Sequence, residues 1–600
     1  MSNICKLYRL LLQVDFNPHS LPVTVANFKQ FFPRQVVEST GNRWDMLLLP
    51  PVLGLIVLLA FAASQMTRPY QVGTPIPLSL DPWVLPYYLL RTTLRMFIAL
   101  GASLIFSCAF AAIAAKYRAA EKLMIPMLDI LQSIPILGFL SITVTGFIAL
   151  FPGNLLGVEC AAIFAIFTSQ AWNLTFSFYH SLVSQPRELD EAARLFRLTK
   201  WQRFWKLDVP QSMIGLVWNG MMSFGGGWFF LVAAESISVL NQKYALPGIG
   251  SYVAAASADG DLGLVLLAIV VMVVMVLGVN FLFWRPLVAW SEKFRNETTE
   301  SSERPRSIVY DALRRSSIPR ALGRGFHPIG RLLDRATRPF GLAEHPLHTD
   351  VRRRRVGDVV FALVVGVVAV WGAILGLRYI SDTVGFGAVP HVFVLGFYTF
   401  IRVVVIVVIS SLIWVPVGVK IGMSPRIARS AQPLVQVLAS FPANFIFPFI
   451  VAFFIATGTS LNIGGIVLMA MGAQWYVLFN TIAGASSIPS DLREAMDDFG
   501  VTGWQRWRKF ILPAIFPYYV TGGITAAGGA WNAAIIAEIV TYNHQTLIAS
   551  GLGAYIAQAT STGNFPEVLL GVSVMSLFVV LVNRLFWRRL YRLAESKYSL

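Results

Sequence analysis

Twelve apolar runs set the rhythm of the chain, each long enough to cross a bilayer at about 20 residues apiece. They lie near 46–65, 88–115, 123–150, 157–183, 211–238 and 262–288, and again near 357–380, 393–419, 430–457, 462–485, 514–541 and 567–590. Runs of this length predict transmembrane helices, because a backbone that leaves water must satisfy its own N–H and C=O groups. Two polar stretches are longer than connections need. Residues 1–45 mix basic and aromatic side chains in a way that suits a membrane surface. Residues 291–356 turn to Arg, Ser, Pro and Glu and end in Arg352–Arg355, a basic linker between a first repeat at 46–290 and a second at 357–600.

The polar positions repeat as well. Glu191, Ala192, Phe196, Thr199, Trp201, Gln202, Arg203, Lys206 and Pro210 recur 303 positions later as Glu494, Ala495, Phe499, Thr502, Trp504, Gln505, Arg506, Lys509 and Pro513. Each copy predicts two short helices joined by a turn. An acidic first turn follows Pro186 or Pro489, Gly500 suits a left-handed helix end, and Thr199 with Gln202 and Thr502 with Gln505 fit the capping box. The same offset joins Trp172 to Trp475, Glu235 to Glu538, Gly248-x-Gly250-x-Tyr252 to Gly551-x-Gly553-x-Tyr555, and Phe283-Trp284-Arg285 to Phe586-Trp587-Arg588. Upstream, Arg95, Ser133 and Pro135 match Arg402, Ser440 and Pro442 at offset 307. Both halves run in one direction. The expected fold is therefore all-α, with twelve transmembrane helices in two parallel six-helix repeats about a pseudo-twofold axis along the membrane normal.

Composition narrows the class. At 56% hydrophobic and 13% charged residues, the chain is too apolar for a set of soluble domains. Its formal charge of +17 gathers in alternate loops, which is positive-inside bias and not a nucleic-acid surface. That bias puts both repeated loops, the linker and both termini in the cytoplasm. Cys5, Cys108 and Cys160 form no disulfide framework or metal spacing, and His345 and His348 in the linker fall short of a zinc ligand set. No Lys follows a Gly, so the phosphate-cradling Gly-x4-Gly-Lys loop is missing.

A helical cytoplasmic loop of this length, set between the fourth and fifth spans of each half, suggests a docking surface. Glu494-Ala495, Gly500 and Pro513, with the partial copy Glu191-Ala192-Ala193, Arg197 and Pro210, resemble the loop signature of permease subunits of binding-protein-dependent ABC importers. Ser440-Phe441-Pro442 and Ala530-Trp531 followed by Ala537-Glu538 are similar to the nitrate, sulfonate and taurine branch. The resemblance covers roughly 90–290 and 395–595 and implies a fused, duplicated permease component of the type I importer fold, in a bacterial inner membrane, passing a small anionic solute. It also implies partners: two ATPase subunits, a homodimer, carrying ATP and Mg, and a soluble or lipid-anchored substrate-binding protein. No cofactor is implied in this chain, and no enzyme activity of its own. The helices at Glu191–Phe196 and Glu494–Phe499 would be coupling helices seated on those ATPases. Arg197 stands where the motif has Gly, and a side chain costs about 1 kcal/mol or more in a left-handed turn, so the first copy is expected to turn differently or to bind its ATPase less regularly.

Within the membrane, Arg95 and Arg402 lie at depths similar to those of Glu235 and Glu538. Ionisable groups there pair or line a pathway, and the expectation is an Arg–Glu pair, within a half or across the axis. The alternative, arginines that face the pathway and attract an anion, stays open. Ser133 with Pro135 and Ser440 with Pro442 predict helix breaks that serve as pathway or hinge elements, or simple kinks. Gln170, Trp172, Gln474 and Trp475 are further pathway candidates. Asp129 aligns with Gln436, so the halves cannot form identical sites. A twelve-span secondary transporter of the major-facilitator type is the rival reading, but it does not account for the paired loops. A membrane enzyme would need a catalytic motif, and none is evident.

Overall fold

The computed structural model describes residues 43–71, 74, 76–239, 242–294, 307–317, 324, 328, 330, 332–337 and 351–597. Most of the N-terminal segment, much of the basic linker with His345 and His348, and the side chains of Asp129, Ser133 and Gln436 lie outside this description.

The first repeat begins with α1 (Arg43–Met66) and α2 (Leu85–Lys116), followed by α3 (Arg118–Ser133), α4 (Leu140–Leu150) and α5 (Leu156–Val183). The short α6 (Arg187–Leu195) leads through a helical turn at Lys200–Arg203 and a π turn at Phe204–Asp208 into α7 (Val209–Glu235). A hairpin, β1 (Ser236–Val239) and β2 (Gln242–Ala245), then α8 (Ile249–Ala258) and α9 (Leu262–Val279) complete it. In the linker, α10 (Ile308–Arg315) sits at the foot of α1, where Asp45 accepts from the Ser317 backbone at 2.6 Å and hydroxyl at 2.7 Å.

The second repeat follows the same order: α11 (Val351–Thr383), α12 (Val389–Gly422), α13 (Pro425–Ser440), α14 (Phe447–Thr457), α15 (Leu461–Ser486), α16 (Ser490–Asp498), α17 (Leu512–Ala537), β3 (Ile539–Tyr542), β4 (Gln545–Ile548), α18 (Leu552–Thr562) and α19 (Phe565–Val582). Among the described residues nine helices are long and apolar enough to span a membrane. Together with α5, the repeat counterpart of α15, and one interrupted span in each half, they account for the twelve apolar runs.

The interruptions fall at the predicted prolines. Ile134 and Phe441, each preceding a proline, are extended, with φ −80°, ψ 126° and φ −75°, ψ 130°, because the proline ring excludes the helical conformation from the residue before it. Pro135 and Pro442 then head single 3-10 turns at Ile136–Phe139 and Ala443–Phe445. The expected single crossings at 123–150 and 430–457 are thus two helices each, and each break forms a hydrogen bond to the opposite half. The Ile136 N–H donates to Asn532 Oδ1 at 2.9 Å, and Asn444 Nδ2 donates to the Phe229 carbonyl at 3.1 Å.

Packing follows the same exchange. Ile136, Leu137 and Leu140 join the core of the second repeat, while Phe441, Phe445 and Phe449 enter that of the first. At the hairpin end, the loops expected at 239–261 and 542–566 each hold a hairpin and a short helix. The β3–β4 turn places Asn543 and His544 at φ 45° and 56°, the paired positive values of a tight two-residue hairpin. Their N–H groups donate to the Ser257 and Ala258 carbonyls at 3.0 and 3.2 Å, so the end of α8 is capped from the other half.

Candidate functional site: paired loops, buried charges and a central cavity

The two helix-turn-helix loops share one backbone. Phe196 N–H reaches the Ala192 carbonyl and Leu198 N–H the Ala193 carbonyl, and in the second copy Phe499 reaches Ala495 and Val501 reaches Met496. Arg197 adopts φ 48° and Gly500 φ 62°. The expectation that Arg197 would turn differently is therefore overturned: the doubled carbonyl closure of the helix end holds arginine in the left-handed well, with its side chain in solvent. The real difference lies three residues on. Thr199 and Gln202 form the full capping box, whereas Thr502 makes no side-chain cap bond. There Gly503, at φ 59°, opens the helix in a conformation that carries the Gln505 amide away.

Ala193 is buried, Ala192 and Ala495 are half-buried, and Glu191 and Glu494 are exposed. Phe196 and Phe499, matched in the repeat, are 78% and 79% exposed. Large rings in open solvent at both equivalent positions form an apolar surface with no partner among the described residues. Each loop is braced behind that surface. Arg203 pairs with Asp190 and Arg506 with Asp497, while Arg493 donates to the Ile488 and Met423 carbonyls. Pro210 and Pro513 stand just after the π turns at Phe204–Asp208 and Trp507–Ile511, at the head of α7 and α17.

At the hairpin end the predicted arginines and glutamates meet, each pair within its own half. Arg95 Nη1 lies 2.7 Å from Glu235 Oε1, and Arg402 Nη1 lies 2.6 Å from Glu538 Oε1. Thr92 and Thr399 donate to the same oxygens at 2.7 and 2.8 Å. The second carboxylate oxygen accepts the N–H of Gly250 or Gly553, at 2.7 Å in both. This explains the Gly-x-Gly-x-Tyr repeat, since a Cβ on Gly248 or Gly551 would fall on the carboxylate itself. Glu235 and Glu538 thus hold the start of α8 and α18 against the end of α7 and α17.

Three members of this cluster escaped the sequence reading. Glu159 bonds both Arg95, at 2.6 Å from Nε, and Arg91. Its counterpart at offset 303 is Asn462, whose side-chain and backbone oxygens take the remaining Arg402 donors at 3.0 and 3.1 Å. Arg91 itself aligns with Tyr398. One half balances two arginines with two glutamates and the other balances one with one, so each cluster is neutral, as burial requires. A lone acid inside the apolar run 157–183 was the signal that could have found Glu159.

Between the halves lies a cavity of about 470 Å³. Its wall comes from α7 between Trp218 and Phe230, from Ala439–Ala443 at the proline break, from α15 between Met471 and Ala483, and from α17 between Tyr518 and Ala533. Among the sequence candidates, Ser440 and Trp475 line it. The others stand elsewhere. Gln474 accepts from Trp414 Nε1 at 2.9 Å, buried Gln170 contacts Met96 sulfur at 3.7 Å, and Trp172 packs on Phe106 and Phe167. Arg95, Arg402, Glu235 and Glu538 are not among the residues that line the cavity, and both arginines are held in ion pairs.

Parallel repeats that interlock at their broken spans, enclose a cavity and present two matched loops at one end define a multi-pass membrane permease built by duplication. The chain belongs to the family of binding-protein-dependent transport system inner membrane components, whose profile matches it twice, over residues 103–284 and 414–599. It is similar to a nitrate import permease protein of Leptolyngbya laminosa, 28% identical over 184 residues, 31% of this chain and 62% of the relative. It is also similar to a bicarbonate transport system permease protein of Synechococcus elongatus, 27% identical over 177 residues, 29% and 60% respectively. A putative ABC transporter permease protein of Methanocaldococcus jannaschii is 26% identical over 183 residues, 30% and 65%. The chain spans about three-fifths of the length of these relatives.

Proposed function

We propose that this chain is the whole membrane pathway of an ATP-driven importer, with both permease halves in one polypeptide. The observation that carries the reading is the pair of matched loops, each with an exposed glutamate and an exposed phenylalanine at one end of the helix bundle. These surfaces suit two copies of one ATPase subunit, which would supply the ATP and Mg that the chain has no loop to bind. The basic residues near the same end support a cytoplasmic position for it and for both termini. A soluble or lipid-anchored binding protein would deliver solute at the hairpin end. The relatives named for nitrate and bicarbonate favour a small anion as that solute.

Force would travel through continuous helix. From Lys200 to Glu235 and from Gly503 to Ala537 the chain runs unbroken from each loop into α7 and α17, and both helices line the cavity. Closure of the ATPases on ATP would draw the loops together and swing these two helices, and hydrolysis would release them. Charge reversal of both acids, Glu191→Arg with Glu494→Arg, is expected to abolish ATP-dependent uptake in proteoliposomes and co-purification of the ATPase. Uptake that continues at the unmodified rate would refute the proposal.

A further inference from the structure

The chemistry of the cavity says what kind of solute fits it. None of its lining residues is charged, and the arginines of the flanking helices are consumed by Glu159, Glu235 and Glu538. The wall is aromatic instead: Trp218 and Phe229 from α7, Phe441 beside the proline break, and Trp475, Tyr476 and Phe479 from α15. Asn532 accepts from the Ile136 N–H and donates one amide hydrogen to the Gly528 carbonyl, and Asn480 donates one to the Tyr476 carbonyl. Each keeps a second amide hydrogen, beside the hydroxyls of Ser440, Tyr476 and Tyr518 that also line the cavity, so the polar groups offered to a solute are uncharged ones.

A bare inorganic oxyanion that entered would exchange water for ring faces, which carry negative charge density, with no cation to offset its desolvation. It would also leave most of a space of about 470 Å³ to water, although that volume is ordinary for a small organic ligand. We infer that the solute occupying this cavity is an organic molecule with a ring-sized apolar body, held by the aromatic wall with its polar head toward uncharged donors such as Asn480 and Tyr518. The inference rests on the cavity being part of the transport pathway.

The test uses the full chain in lipid nanodiscs without nucleotide, titrated with benzoate or with nitrate while tryptophan fluorescence is followed. Trp475→Phe identifies the part of the signal that arises in the cavity. Benzoate is expected to saturate at a concentration at least about tenfold below that of nitrate, which is about 1.4 kcal/mol. Phe229→Ala with Phe479→Ala is expected to weaken benzoate about tenfold, since ring contacts are removed from both walls. Nitrate binding as tightly as benzoate, no saturation by benzoate, or benzoate binding that ignores the paired substitution would each overturn the inference. Because no nucleotide is present, failure here is separate from failure of the importer reading, which the loop reversal tests.

Discussion

Glu159 and Asn462 occupy one place in the two repeats, and the charge that separates them is compensated by Arg91, which pairs with Glu159 from one turn before Arg95 on α2 and aligns with Tyr398. Removing one member of such a cluster strands a charge in a water-free site. Glu159→Gln is expected to destabilise the first half by about 3–5 kcal/mol, read as a lowered melting temperature of the detergent-purified chain. The double change Arg91→Tyr with Glu159→Asn transplants the arrangement of the second half and should recover most of that loss. If the double variant melts no higher than Glu159→Gln, neutrality is not what the cluster requires. Gly551 is constrained as tightly, because any Cβ there meets the Glu538 carboxylate. Gly551→Ala should lower stability by about 1–3 kcal/mol through overpacking, while Gly528→Ala, inside α17 with nothing within 4 Å, should not lower the melting temperature and should raise it slightly through helix propensity.

The helix-turn-helix loops show how an element absorbs a residue that disfavors it. Arg197 holds a left-handed conformation that glycine takes freely, so Arg197→Gly is expected to stabilise the loop by about 1 kcal/mol. Hydrogen exchange at the Leu198 amide would register this as slower opening. Capping offers a sharper contrast. Thr199→Ala should cost about 1 kcal/mol, since its hydroxyl accepts from Gln202 at 3.2 Å, while Thr502→Ala should cost almost nothing because Thr502 makes no cap bond. Equal losses at the two threonines in the same exchange measurement would contradict that contrast. The unlike caps also give the two loops unequal rigidity behind equivalent exposed surfaces.

Taken together, the halves are bound by exchange: residues at the breaks of the third spans, Ile136 and Leu137 in one and Phe441, Phe445 and Phe449 in the other, pack among side chains of the opposite half, and a hairpin turn from one half caps a helix of the other. At the cavity edge Gly225 faces Ser440, where a Cβ built on the glycine would stand 3.3 Å from the serine Cβ, close to disulfide spacing of about 3.5–4.5 Å. In a background lacking Cys5, Cys108 and Cys160, Gly225→Cys with Ser440→Cys is expected to cross-link under mild oxidation. The link should fix α7 against α13, stop transport, and be reversed by reductant. Full transport by the cross-linked chain would show that these two helices need not separate.

Much of this architecture was legible along the chain. Apolar run length dictates helices in a membrane, and the offsets of 303 and 307 expose the duplication, its direction and the equivalence of the loops, because each is a property of order and spacing. Depth allowed an Arg–Glu pair, within a half or across the axis, but left arginines that face the pathway as an alternative. Folding decided what depends on which neighbour arrives: that the pairs stay within a half, that Glu159, Arg91 and Asn462 complete them, and that the breaks of the third spans pack against the opposite half. It also decided that Arg197 turns like glycine and that Gln474 faces Trp414 while Trp475 faces the cavity. Adjacent residues on one helix point about 100° apart, so only the packing of three further helices could settle which of them meets a solute.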